Sequence, residues 1–91
     1  MACGFNGARM HMTIFEPYFM YLADRAGYIL WGEYPNWGLD ISRPEANDAM
    51  LPEWREQLRR DVNHPSIIGW CPLNEIWRQT PEFQPIVYQA T

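Results

Sequence analysis

Ninety-one residues allow one small domain or a piece of a larger one. A hydrophobic content of 47%, with 15% aromatic residues and five Trp, excludes a disordered chain and implies a dense core or a surface for stacking flat rings. The net charge of −4 argues against a nucleic-acid partner, which needs a basic stripe, and gives no reason to expect an anionic membrane surface. No apolar run approaches the ~20 residues that cross a bilayer, and no signal peptide is visible at the N-terminus, which leaves the compartment unknown. Cys3 and Cys71 have no metal-ligand spacing, and both read as buried free thiols.

In chain order, Gly4 to His11 reads as a strand. Phe5, Gly7, Arg9 and His11 share one face, and Asn6, Ala8 and Met10 share the other. A helix follows, with Pro17 in its first turn and Gly27 just past its end. Its Tyr18, Tyr21 and Leu22 form a stripe suited to covering a sheet. Tyr28 to Gly32 is the second strand, ending at Glu33. The loop from Tyr34 to Gly38 is rich in turn formers and aromatics. Ser42 and Glu45 have capping-box spacing, and Pro52 divides a short helix from a main one over about 52–62. Leu51, Trp54, Leu58 and Val62 line one face of the main helix. Near its end Glu56 and Arg60 form an i, i+4 pair, and Asn63 is the expected C-cap. His64-Pro65 stops that helix. Ile67, Ile68 and Trp70 then suit a strand buried on both faces, running to Leu73. The last element is a helix from about residue 82, with Phe83, Ile86, Val87 and Ala90 at helical spacing.

Strands alternating with helices imply an α/β fold with a parallel sheet. Directly after the third strand stand Asn74 and Glu75. An acid beside a core is costly unless something uses or compensates it, so Glu75 is the foremost candidate for chemistry and Asn74 its partner. Glu33, Arg9 and His11 end the two earlier strands and fall at the same edge. Glu33 reads either as a second carboxylate or as an ion-pair residue, and His11 either as a binding or as a structural histidine. Trp37 and Trp77, in loops at that edge, suit either ring stacking or core packing. His64 lies at the opposite edge and reads as structural.

Three stretches in order, GFNGARMH from Gly4, DRAGYILWGEYPNWG from Asp24 and NHPSIIGWCPLNEIW from Asn63, resemble the catalytic domain of glycoside hydrolase family 2, the β-galactosidase and β-glucuronidase group. The resemblance implies a partial (β/α)8 TIM barrel. An eight-unit barrel of ~250 residues averages about 31 per unit, so this chain holds about three units, placed as the second to fourth, with no separate second domain. It further implies a retaining mechanism with Glu75 as general acid/base and Asn74 on the sugar's 2-hydroxyl. Arg9, His11, Glu33, Trp37 and Trp77 then line the substrate pocket. The family's nucleophile lies on a later strand outside this chain, so Glu33 has a supporting role, as a nearby like charge that raises the pKa of Glu75. The family often has Tyr-Pro-Asn after the histidine; Met12-Thr13-Ile14 stand here. Some members hold Mg²⁺ with a glutamate and a histidine at the places of Trp37 and Leu39, neither of them a ligand, so no metal and no cofactor is expected. The implied partner is a β-glycoside carbohydrate, and the oligomeric state of the parent enzyme is left open. A non-catalytic carbohydrate-binding module is the alternative, and a partial barrel that assembles with a complementary chain is a third.

Overall fold

The structure, a computed structural model, describes residues 2–91. Three strands and three helices alternate: β1 (Gly7–Arg9), α1 (Pro17–Ala26), β2 (Ile29–Glu33), α2 (Ala46–Asp61), β3 (Ile67–Cys71) and α3 (Phe83–Ala90). The sheet order is β1-β2-β3 and both pairings are parallel. Between Leu30 and Trp31 the register skips Ile68, so that Trp31 faces Gly69. Trp70 lies across Gly32, where an added Cβ would stand 2.6 Å from the Trp70 ring. That close approach lets Trp70 reach α2.

One face of the sheet is covered. Met10 and Leu30 pack with Met20 and Ala23 of α1, and a larger cluster joins Tyr34, Met50, Trp54, Phe83 and Val87 across α2 and α3. The other face is open. Ile29, Trp31 and Ile68 line a groove there, and Ile68 is 72% exposed. The expectation that the third strand is buried on both faces therefore fails for Ile68, because the helices cover only one side.

The helices depart from expectation in instructive ways. Gly27 caps α1 in the left-handed conformation, as its position implies. The stripe Tyr18, Tyr21 and Leu22 faces outward, however, and Met20 and Ala23 are the residues turned to the sheet. Helix α1 is apolar on two sides, and the outer aromatics stack on each other, Tyr18 against Tyr21 at 5.9 Å. Ser42 donates to Asp40 Oδ1 rather than capping a helix, and α2 starts at Ala46 without a side-chain cap and runs through Pro52. Trp54 of the expected α2 stripe is fully buried and Leu51 and Leu58 are partly so, but Val62 is exposed and is itself the C-cap in place of Asn63. Arg60 pairs with the buried Asp61 and donates to the Phe15 carbonyl instead of pairing with Glu56. Cys71 is half-buried but Cys3 is exposed; both are free.

At the N-terminal edge of the sheet, His64 Nδ1 lies 2.6 Å from Asp24 Oδ2, and the Ser66 N–H donates to Asp24 Oδ1 at 3.0 Å. This three-residue knot ties the end of α1 to the start of β3. Burial pushes the Asp24 carboxyl up, but the hydrogen bonds from His64 and Ser66 outweigh it and hold the group below its ordinary value. A depressed carboxyl stabilises the fold fully above its unfolded pKa of about 3.9, and that contribution is lost as pH falls through the folded value. The difference in thermal stability between wild type and Asp24→Asn at about pH 5 should thus close as pH falls toward 2. A difference that persists unchanged in acid would show that Asp24 acts through its shape alone.

Candidate active site

Because the three strands are parallel, their C-terminal ends meet at one edge. Glu33, the last residue of β2, is 0% exposed there. Arg9, at the end of β1, holds it with both forks of its guanidinium: Nε donates to Oε2, and Nη2 to Oε1 at 3.0 Å. His11 Nδ1 lies 3.0 Å from Oε1, and the Met12 N–H donates to the same oxygen at 3.0 Å. Met12 takes a φ of 53°, a left-handed turn that a side chain disfavours, and this hydrogen bond helps to hold it. Burial pushes the Glu33 carboxyl up, but the Arg9 guanidinium, the Met12 N–H and His11 together hold it below the ordinary carboxylate range. Glu33 is therefore an anion whose charge is matched on contact by Arg9. At this edge it stands as half of an ion pair rather than as a bare negative charge.

Arg9 also bridges to the third strand, where Nη2 donates to Asn74 Oδ1. Asn74 is 7% exposed, and its Nδ2 is buried with no hydrogen-bond partner among the described residues. A buried amide donor left unpaired is costly, so this one stands out. Glu75 follows with a φ of 47° and is exposed. It makes no ion pair among the described residues; Arg9, its conceivable partner across the edge, is committed to Glu33 and Asn74. Glu75 lines an open cavity of about 510 Å³ with Trp37, Ile41, Trp77 and Arg78. Trp37 stands edge-on to His11, ring centres 6.1 Å apart, and Trp77 is 89% exposed, so neither Trp is a core residue.

The seven residues singled out from sequence thus fall into two adjoining groups. Arg9, His11, Glu33 and Asn74 form one hydrogen-bonded network, while Glu75, Trp37 and Trp77 border the cavity beside it. Sequence reasoning missed Asn36. It is buried, and its side-chain amide pairs with both backbone groups of Asn74. No spacing signal could have found it, because Asn36 and Asn74 lie 38 positions apart and meet only through the sheet register. No group of three or more His, Cys, Asp or Glu is arranged to hold a metal ion among the described residues.

No protein-family profile matches the chain. It is similar, however, to curated enzymes of one kind. The β-glucuronidase of Sus scrofa is 33% identical over 75 residues, and that of Canis lupus familiaris 35% over 75 residues; each match covers 76% of this chain and 12% of the relative. The β-galactosidase BgaC of Bifidobacterium adolescentis is 34% identical over 67 residues, covering 66% of this chain and 6% of the relative. The chain is a glycoside-hydrolase-like segment. It resembles the β-glucuronidases and β-galactosidases in particular, and it spans about an eighth of the length of the glucuronidases it matches.

Proposed function

We propose that this chain is the part of a retaining β-glycosidase catalytic domain of family 2 that carries the general acid/base, Glu75, and not the nucleophile. Its three units are then the second to fourth of a (β/α)8 barrel, and the strand edge described above is the mouth, where barrel enzymes place their chemistry. The substrate class is a β-galactoside or β-glucuronide. The observation that carries this is the unpaired, buried Asn74 Nδ2 directly before an exposed acid. A sugar hydroxyl is a ready acceptor for that donor. A hydrogen bond that strengthens as positive charge develops on the sugar ring stabilises the transition state more than the ground state.

The roles divide by chemistry. Glu75 gives a proton to the leaving-group oxygen and later takes one from the water that releases the sugar. The second carboxylate, about 5–5.5 Å away in retaining enzymes, comes from a later strand. Arg9, held by Glu33, fixes the Asn74 side-chain oxygen and so leaves the buried Nδ2 as the unspent donor for a sugar hydroxyl. His11 and Trp37 form one wall, and Trp77 offers a ring for stacking. The exposure of Trp37 and Trp77 also suits a carbohydrate-binding module without catalysis.

The test is to extend the reading frame in the source DNA and compare the extended protein with the 91-residue chain on phenyl β-glycosides. The extended protein should supply a later strand ending in glutamate and release phenol, and the short chain should release none above background. Turnover by the short chain overturns the division of the two carboxylates. An extended protein that binds sugars but never cleaves them favours the binding module.

A further inference from the structure

The ladder between β2 and β3 ends with the pair Glu33 and Cys71, followed by one more bond from the Tyr34 N–H to the Cys71 carbonyl at 3.2 Å. Backbone pairing stops there, because the Asn36 N–H, next in line to face β3, turns back to the Tyr34 carbonyl at 2.9 Å. The Asn36 side chain takes the place of the next peptide. Its Oδ1 accepts from the Asn74 N–H at 2.7 Å, and its Nδ2 donates to the Asn74 carbonyl at 3.0 Å. The Trp37 indole N–H adds a second bond to that carbonyl at 3.2 Å. Both backbone groups of Asn74 are thus fixed by side chains of one loop. The next residue, Glu75, sits in a left-handed conformation that a glutamate rarely adopts unaided.

We propose that Asn36 is a positioning residue: its amide pair with Asn74 sets the direction of the Asn74 side chain and the place of the Glu75 carboxyl. The role rests on Glu75 being the acid/base. Asn36 borders the cavity but is buried, and both polar atoms of its side chain are taken up by the Asn74 backbone; it acts through the peptide it holds. A misplaced acid harms most those substrates whose leaving group needs a proton. Asn36→Ala should therefore cut kcat/KM on a phenyl β-glycoside more than on a 2,4-dinitrophenyl β-glycoside, whose leaving group departs without one. The ratio of the two rates should fall about tenfold, a fraction of the ~10²–10⁴ that a general acid contributes.

The experiment uses the enzyme of the extended reading frame, with amide hydrogen exchange at Asn74 as a second readout. Exchange at the Asn74 N–H should be slow in wild type and fast in Asn36→Ala. If that variant does not fold, the isosteric Asn36→Asp keeps an acceptor for the Asn74 N–H but cannot donate to its carbonyl as a carboxylate, and should shift the ratio in the same direction. Equal losses on both substrates overturn the positioning role and leave Asn36 structural. Unchanged exchange at Asn74 overturns the clamp itself. A wild-type enzyme with no turnover removes the acid/base role beneath the proposal and the proposal with it, a failure told apart from the others because the exchange readout still reports the clamp.

Discussion

Trp54→Ala should lower the unfolding free energy of the chain by about 3–5 kcal/mol, the range for emptying a fully buried aromatic site. Trp54 has no exposed surface and stands where four parts of the chain meet. Its ring makes edge contacts with Tyr34 at the end of β2, 6.2 Å between centres, and with Trp70 of β3 at 5.8 Å. Its indole N–H donates to Thr91 Oγ1 at 2.8 Å, tying down the end of α3. Removing the ring opens a cavity that Gly32, beneath Trp70, does nothing to fill. A domain of this size has about 5–15 kcal/mol in all, so the variant should melt some 15 °C or more below wild type. The contrast is Trp77→Ala. The same side chain at 89% exposure packs against little, and its loss should stay within about 0.5 kcal/mol. Urea unfolding followed by circular dichroism measures both. A Trp54→Ala midpoint equal to wild type would mean that α2 and α3 do not share a core.

What periodicity can express was legible in the sequence. Alternation along β1 put Arg9 on the side that reaches Glu33. His11 reaches it as well, but from the turn beyond the strand, which spans only Gly7–Arg9 rather than running to His11. The alternation of strand and helix gave three parallel strands in the expected order. The features that escaped are those in which one polar atom chooses among several partners. Ser42 had a capping-box position but found Asp40 two residues away, and a local turn outcompeted the cap. Arg60 had a helical partner in Glu56 but turned to its neighbour Asp61, whose buried carboxylate has more to gain from a counter-charge than an exposed one. Asn36 and Asn74, like Asp24 and His64, come together only through the sheet register. Such pairs carry no spacing signal, and they are the ones that shape the strand edge.

The same limit applies to charge. From sequence, Glu33 reads either as a second carboxylate beside Glu75 or as an ion-pair residue. The third dimension supplies Arg9, and with it Glu33 becomes the anchor of an ion pair that reaches Asn74. The arrangement separates two tasks on adjacent residues. Asn74 is buried and held by four hydrogen bonds with Arg9, Asn36 and Trp37, while Glu75 is exposed beside the cavity with no partner for its carboxyl among the described residues. On the proposed function, the rigid amide would grip the sugar and the free acid would move the proton.

Glu75→Gln, made in the protein of the extended reading frame, should reduce kcat/KM on a phenyl β-glycoside by about 10²–10⁴. The substitution keeps size and shape, and an exposed side chain without an ion pair should leave stability unchanged within about 0.5 kcal/mol. The loss should be far smaller on a dinitrophenyl β-glycoside, because bond breaking there needs no proton. On that substrate the second step becomes slow instead: water must be deprotonated to release the sugar from the nucleophile, and Gln cannot do it. A burst of dinitrophenol followed by slow turnover is the expected trace. Added azide, which attacks without losing a proton, should restore the rate and give a β-glycosyl azide, the configuration a retaining path demands. A binding module gives none of this. In that case Gln at position 75 changes saccharide affinity slightly, if at all, and neither burst nor azide product forms. A raised KM with kcat intact would place Glu75 in ground-state binding alone and move the proton transfer to another residue.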